Sequence, residues 1–433
     1  MRPNRTDPHR TDPQSTDTRR AYALLLVATG CYTCLMFVWF SLPAYLPTII
    51  AELDLTSTEA GVVAGAVPLT YIPLALFSGL AVDRYGPGRT IAAGVLVYGV
   101  GQFARSFAPD FPTLLATTLL IGVGATAITF GLPKLVSVCF PPLETGLPSS
   151  IYLVGAAAGT GGAFALGRPY LGPALGGWRP LFFWSGLVAI AYGLLWGVVA
   201  WRARIDRQAT AARGTDVTSG ADAVEADDPN DPSRSLAGIR RDLRLILTHR
   251  ELQLIVVVGT MYLMLSHGMQ GWLPTILESR GLSAARAGQL TSLLVVSYVV
   301  GILVVPAIAD RIGVRREALM ACGATAFLGV GIVLVADTGL PVVAGILVAG
   351  IGVGGLSPLI RAIPPELEGI GARLTGTAVG FIFAVGEIGG FLGPLLVGSL
   401  HDATGSYAPG LLVLAVGGLV VVLAGGALGR NRV

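Results

Sequence analysis

Ionisable residues set deep in apolar stretches are where this chain could do chemistry. Glu387 lies midway along Phe-Ala-Val-Gly-Glu-Ile-Gly-Gly, closed by Gly390. A carboxyl held away from bulk water can carry a proton, and its burial is costly enough to make it a functional candidate by default. Arg168 interrupts another apolar run. A guanidinium offers a permanent charge and five donors, which suits a small anion. His267 and Gln270 fall one turn apart in a third run, where they would line a cavity with Tyr32, Thr33 and Trp39 of the first. If Arg168 and Glu387 pair in the empty state, an arriving anion would compete for the arginine, and protonation of Glu387 would favour the exchange. Arg105, Lys134 and Arg361 lie nearer the ends of their runs and read as interfacial anchors, with Arg105 snorkelling to the surface.

Other chemistries are excluded. No Walker sequence, catalytic triad or metal-ligand cluster is present, so no enzyme, cofactor or metal is expected. Gly350-Ile-Gly-Val-Gly-Gly355 imitates a nucleotide fingerprint but has no strand before it, and reads as close helix packing. Cys31 and Cys34 fall on one face of the first apolar run and read as small apolar filler, and Cys139 and Cys322 are isolated.

The elements that position these groups are membrane helices. Hydrophobic residues make up 53% of the 433 and charged residues only 13%, too little charge to cover a soluble protein of this size. The mean hydropathy is +0.70. The apolar runs are about 20 residues long, enough to cross a bilayer as helices. They fall at roughly 21–45, 60–82, 90–109, 112–136, 149–174 and 180–201, then 252–276, 287–309, 317–336, 339–360, 374–399 and 408–429. This predicts an all-α membrane protein with two bundles of six helices, at 21–201 and 251–429. Residues 1–20 read as a disordered tail. The acidic, Pro- and Ser-containing stretch 202–250 reads as a linker. Its end is basic and amphipathic: Leu236, Ile239, Leu243, Ile246 and Leu247 near one face, Arg240, Arg241 and Arg244 around the others. That end is either an interfacial helix or an early start of the seventh span.

The two sets are copies of one unit. Gly79-Leu-Ala-Val-Asp-Arg-Tyr-Gly-Pro-Gly-Arg89 returns as Pro306-Ala-Ile-Ala-Asp-Arg-Ile-Gly-Val-Arg-Arg316. Asp83, Arg84 and Gly86 fall on Asp310, Arg311 and Gly313 at one constant offset, and Leu46-Pro47-Thr48 falls on Leu273-Pro274-Thr275 at the same offset. Of the 29 Lys and Arg, only Arg105, Arg168, Arg179, Arg280 and Arg286 would lie in outer loops or deep in spans if the N-terminus is inside. The excess of positive charge on the other side therefore predicts a multi-pass protein of the cell membrane, with both termini, the linker and both hairpins cytoplasmic.

Twelve helices as six plus six, with this hairpin after the second and eighth, resemble the major facilitator superfamily. The resemblance implies a secondary active transporter working by alternating access, and a hairpin aspartate that latches one conformation by meeting a facing helix or a basic partner. The latch residues so implied are Gly79, Asp83, Arg84, Gly86 and Arg89, with Asp310, Arg311 and Gly313 in the second copy. Pro306 replaces the first glycine there, so closer packing is expected at Asp83. Gly172-Pro173 and Gly393-Pro394 are similar to glycine-proline segments of the family, but Arg168 stands where the exporter pattern has a glycine. Trp272-Leu-Pro-Thr-Ile-Leu-Glu-Ser-Arg-Gly-Leu-Ser is similar to the cyanate/nitroimidazole permease group and related small-anion carriers. The expected function is proton-coupled movement of a small organic or inorganic anion. The partners are the lipid bilayer, a small solute and protons, not nucleic acid, and the chain is expected to act as a monomer. Two alternatives remain: proton-coupled export of small amphipathic compounds, favoured if Arg168 faces lipid, and a non-transporting membrane sensor.

Overall fold

The computed structural model describes residues 13–141, 144–206, 245–367 and 370–429. The start of the tail, most of the linker and its residues Leu236, Ile239, Arg240, Arg241, Leu243 and Arg244 lie outside the described residues. Among those described, twelve long helices run in chain order. The first six are α1 (Pro13–Leu53), α2 (Ser57–Tyr85), α3 (Pro87–Arg105), α4 (Phe111–Cys139), α5 (Gly146–Leu175) and α6 (Trp178–Ala203). The second six are α7 (Arg250–Ser279), α8 (Ala284–Ile312), α9 (Arg315–Val335), α10 (Leu340–Ala362), α11 (Gly371–Thr404) and α12 (Ala408–Ala427). Eleven are long and apolar enough to cross a membrane; α3 is the exception. The first helix starts at Pro13, inside the stretch read as a disordered tail. Of the basic amphipathic segment, residues 245–248 form a helical turn separate from α7, with Ile246 buried and Leu247 exposed.

Local chemistry sets the helix ends. Thr56 and Glu59 form a reciprocal capping box at the start of α2. Asp110 caps α4 and Ser283 caps α8. The hairpins turn at Gly86 (φ 88°) and Gly313 (φ 74°), a left-handed conformation that a side chain would strain. Within α5, Ala163–Leu171 winds as a π-helix around Pro169, whose ring nitrogen has no proton to donate. There the Gly167 carbonyl accepts from both the Gly172 N–H and the Tyr45 hydroxyl, the latter at 3.2 Å.

In the first half, α2 packs on α4, α3 on α4 and α6, and α1 on α5. In the second half, α7 packs on α11 and α12, α8 on α10, and α9 on α10 and α12. The halves meet chiefly through α2 with α11, α5 with α8 and α1 with α7. The glycine run of α10 serves close packing as expected: a Cβ at Gly354 would stand 2.1 Å from the Tyr298 carbonyl oxygen. The four cysteines are free.

Arg105 corrects the snorkelling expectation. It is fully buried, its guanidinium 4.6 Å over the Phe182 ring, donating to the Val38 carbonyl at 2.7 Å and to Gln102. Nη2 makes these bonds and the Phe182 ring faces the guanidinium, while Nε and Nη1 are buried without a hydrogen-bond partner among the described residues.

Candidate functional site

Midway along α11, Glu387 faces α7. Its Oε2 is 3.9 Å from His267 Nε2, and the two side chains are 12% and 13% exposed. The same oxygen is buried without a hydrogen-bond partner among the described residues. The His267 ring stacks on Trp39 of α1, with centroids 5.4 Å apart. Trp39 in turn lies 6.2 Å from the Tyr71 ring, whose hydroxyl bonds Thr129 at 2.8 Å. A carboxyl, an imidazole and an indole from both halves are thus in one contact chain. Gln270 donates to Ser266 on its own helix at 2.9 Å. Thr33 departs from its expected role: its hydroxyl lies 2.9 Å from the Gly155 carbonyl and ties α1 to α5. A threonine facing a close helix neighbour satisfies its hydroxyl there rather than in a cavity.

Towards the end that carries the termini, Arg361 on α10 is exposed, with its guanidinium 4.1 Å over the Phe383 ring of α11. Nη1 donates to the Ser357 hydroxyl and, at 2.9 Å, to the Ser357 carbonyl. Nε and Nη2 have no hydrogen-bond partner among the described residues, and no carboxylate pairs with the group. Its charge is within electrostatic reach of Tyr298 on its own half and of Tyr32 and Tyr152 on the other. Tyr32 and Tyr152 stand 6.2 Å apart, and the Tyr262 and Tyr298 hydroxyls bond each other at 2.5 Å. Arg361 therefore faces the space between the halves and is not the interfacial anchor expected. The misleading feature was its place near a helix end; the informative one was a cation in an apolar span beside Pro358. At the repeat offset Arg361 falls on Lys134, and their environments differ. Lys134 is 3.2 Å from Asp83, whereas Asp310 pairs with Arg315 at 2.7 Å and leaves Arg361 without it.

At the opposite end the halves are joined. Arg168 Nη2 is 3.1 Å from both oxygens of Glu278 on α7, Nη1 donates to Thr48 at 2.7 Å, and the guanidinium lies 4.6 Å over Tyr45. Its side chain is only 10% exposed. This corrects the expected pairing with Glu387, because the π-helical turn presents Arg168 to the end of α7 instead of to the middle of α11. It also removes the lipid-facing arginine that would favour an amphipathic exporter. At the same end of the helices, Asp402 on α11 accepts from the Ser57 and Thr58 N–H groups at 2.9 and 2.7 Å. A carboxylate from one half thus caps the positive helix end of the other. Ser57 also bonds His401 across the halves at 2.8 Å, and within the second half Trp272 donates to the Pro394 carbonyl at 2.8 Å. Neither Glu278 nor Asp402 was singled out from the sequence; both lie at span ends, where a carboxylate is ordinary.

In the hairpins, Arg84 and Arg311 are exposed. Arg89 stands 3.6 Å from Asp206, which also accepts from the Gly88 N–H at 2.8 Å. A Cβ at Gly79 would meet nothing within 4 Å. The glycine therefore confers no closer packing on the first copy, and Asp310 stands 2.7 Å from Arg315 as Asp83 stands 3.2 Å from Lys134. The second hairpin is further tied by Arg315 to Glu366.

A family model described as Major Facilitator Superfamily matches residues 28–394. A 3-(3-hydroxy-phenyl)propionate transporter of Escherichia coli (strain K12) is 27% identical over 85% of this chain and 83% of its own length. A 2-nitroimidazole transporter of the same organism is 27% identical over 89% of this chain and 90% of its own. Among solved structures, a bacterial homolog of the human lysosomal transporter Spinster, in an inward-facing and unoccupied conformation, aligns with a TM-score of 0.69. That alignment covers 94% of this chain and 96% of the other at 15% identity.

Proposed function

The chain belongs to the major facilitator superfamily, and from that premise we propose that it carries a small organic anion by proton-coupled alternating access. It is a multi-pass membrane transporter, not an enzyme. Arg361 carries the anion reading. It is a cation without a counter-ion among the described residues, and it opens between the halves within reach of tyrosines on both. A guanidinium exposed in the opening between the halves keeps its hydration there, and its fork is available for an arriving anion to replace that water. The 3-(3-hydroxy-phenyl)propionate relative, by its name a carrier of a carboxylate, supports the same class.

The rest of the geometry fits one state of such a carrier. Arg168–Glu278 and the Asp402 cap close one end, while Arg361 is accessible from the other. With the termini cytoplasmic, as the positive charges predict, this is the inward-open state, in a cell membrane and in a monomer. Rocking of the halves would break the far contacts and close the near end. Glu387 and His267 are the proton-carrying pair in this reading, because they sit between the two ends and touch the facing half through Trp39. Asp83, with Arg84 and Arg89 beside it, and Asp310, with Arg311, serve as latches that hold the near end in one arrangement.

The test is uptake of a radiolabelled carboxylate into proteoliposomes, with and without an inward proton gradient. Gradient-driven accumulation in wild type and its loss in Arg361→Gln are expected. Accumulation unaffected by Arg361→Gln would remove the anion reading, and transport indifferent to the gradient would remove the coupling.

A further inference from the structure

We infer that the anion is an aromatic monocarboxylate, its carboxylate on Arg361 and its ring between the tyrosines of the two halves. This rests on the anion-carrier reading above and narrows it. The inference starts from how Arg361 is held. Phe383 covers one face of the guanidinium at 4.1 Å, and Ser357 fixes Nη1. The edge bearing Nε and Nη2 is left free, and a planar fork of that kind matches one carboxylate in its own plane.

Among the described residues, Arg361 is the one cation facing the space between the halves that has no counter-ion. Among the described residues the other basic groups near the interface between halves are engaged: Arg168 with Glu278, Lys134 with Asp83, and His267 against Glu387. A second carboxylate on the ligand would find no free cation among the described residues. The charge therefore suits a monocarboxylate and disfavours a dicarboxylate.

The walls are aromatic. Tyr262 meets Phe383 edge-on, with centroids 6.4 Å apart, and its hydroxyl is bonded to that of Tyr298. Tyr262 is buried behind them, so the ring surface on this side comes from the half-buried Tyr298 and Phe383. Tyr32 and Tyr152 stand on the facing half, within electrostatic reach of the guanidinium. A ligand ring attached to the carboxylate would lie among these rings, where edge-to-face and offset contacts add to apolar burial. A short aliphatic acid would leave them unfilled. Because the tyrosines come from both halves, the same ring would bridge the halves as they close.

The experiment is calorimetric binding to purified protein in detergent, with benzoate, 3-phenylpropionate, acetate, tartrate and the neutral benzamide as probes. Benzoate or 3-phenylpropionate is expected to bind at least about tenfold more tightly than acetate, tartrate and benzamide. Arg361→Gln should weaken that binding at least about tenfold, and Arg361→Lys should recover part of it. Phe383→Leu, checked for monodispersity, should erase the preference for benzoate over acetate. If acetate or tartrate binds as tightly as the aromatic acids, the aromatic inference falls while the anion-carrier reading stands. If benzamide matches benzoate and Arg361→Gln changes nothing, or no anion binds, both fall.

Discussion

Arg168 on α5 and Glu278 on α7 join the two halves at the end farthest from the termini, one guanidinium nitrogen 3.1 Å from both carboxylate oxygens. Their side chains are 10% and 18% exposed, so breaking the pair leaves a mostly buried charge on either side. Truncating one partner of such a pair costs about 3–5 kcal/mol. That cost falls on the closed arrangement of this end, not on the fold of either half. Arg168→Ala or Glu278→Gln should therefore move the population towards opening here. Spin labels at Asp54 and Thr404, in a background lacking the four native cysteines, should report longer distances in both variants. The double exchange Arg168→Glu with Glu278→Arg should bring them back. Unchanged distances in the single variants would mean that the pair does not hold the gate.

Gly398 tests the same closure by shape. A Cβ there would stand 2.0 Å from the Ser57 carbonyl oxygen across the interface of α11 with α2. The obstacle is backbone, which cannot swing aside. Gly398→Val should prevent this end from closing, with transport falling by more than about tenfold, and because the same Cβ would stand 2.9 Å from Trp272 Cζ2 in its own half it should also lower that half's stability. Wild-type transport in a monodisperse Gly398→Val protein would show that the approach of the helices is not needed in the cycle.

Glu387 should separate coupling from binding. Glu387→Gln keeps the shape and removes the titrating proton beside His267, 3.9 Å away. Accumulation driven by a proton gradient should collapse to the level without a gradient, while exchange of labelled for unlabelled anion continues. Gradient-driven accumulation at the wild-type level would assign coupling elsewhere.

Asp206 ties the turn between α2 and α3 to the end of α6 by accepting from the buried Gly88 N–H at 2.8 Å. Asp206→Ala leaves that donor unpaired, at a cost of about 1–3 kcal/mol and a lower Tm. Burial also holds the Asp206 carboxyl above the usual aspartate value. The folded protein then binds this proton more tightly than the unfolded chain, so its contribution to stability falls as pH rises from the ordinary value through the raised one. Asp206→Asn keeps an acceptor for Gly88 and should flatten that part of the pH–Tm profile. A profile identical to wild type would show that Asp206 titrates normally.

Hydrophobic length, capping residues and glycines at left-handed turns act over a few residues, so the twelve helices, their pairing into two copies and the hairpins at Gly86 and Gly313 could all be read from the chain alone. The choice of partners could not. Lys134 and Arg361 hold one repeat position, yet one lies against Asp83 and the other faces the space between the halves, because Arg315 has taken Asp310. Arg168 was recognisable as a costly charge, but its partner lies on a helix of the other half, brought to it by a π-helical turn that only the packed α5 displays. In a membrane helix the lipid-facing and protein-facing sides are both apolar, so hydropathy does not report rotation about the helix axis. Glu387, His267 and Trp39 could therefore be named as candidates from their types, while their contact, like the exposure of Arg361 among tyrosines, follows from how twelve helices turn against one another.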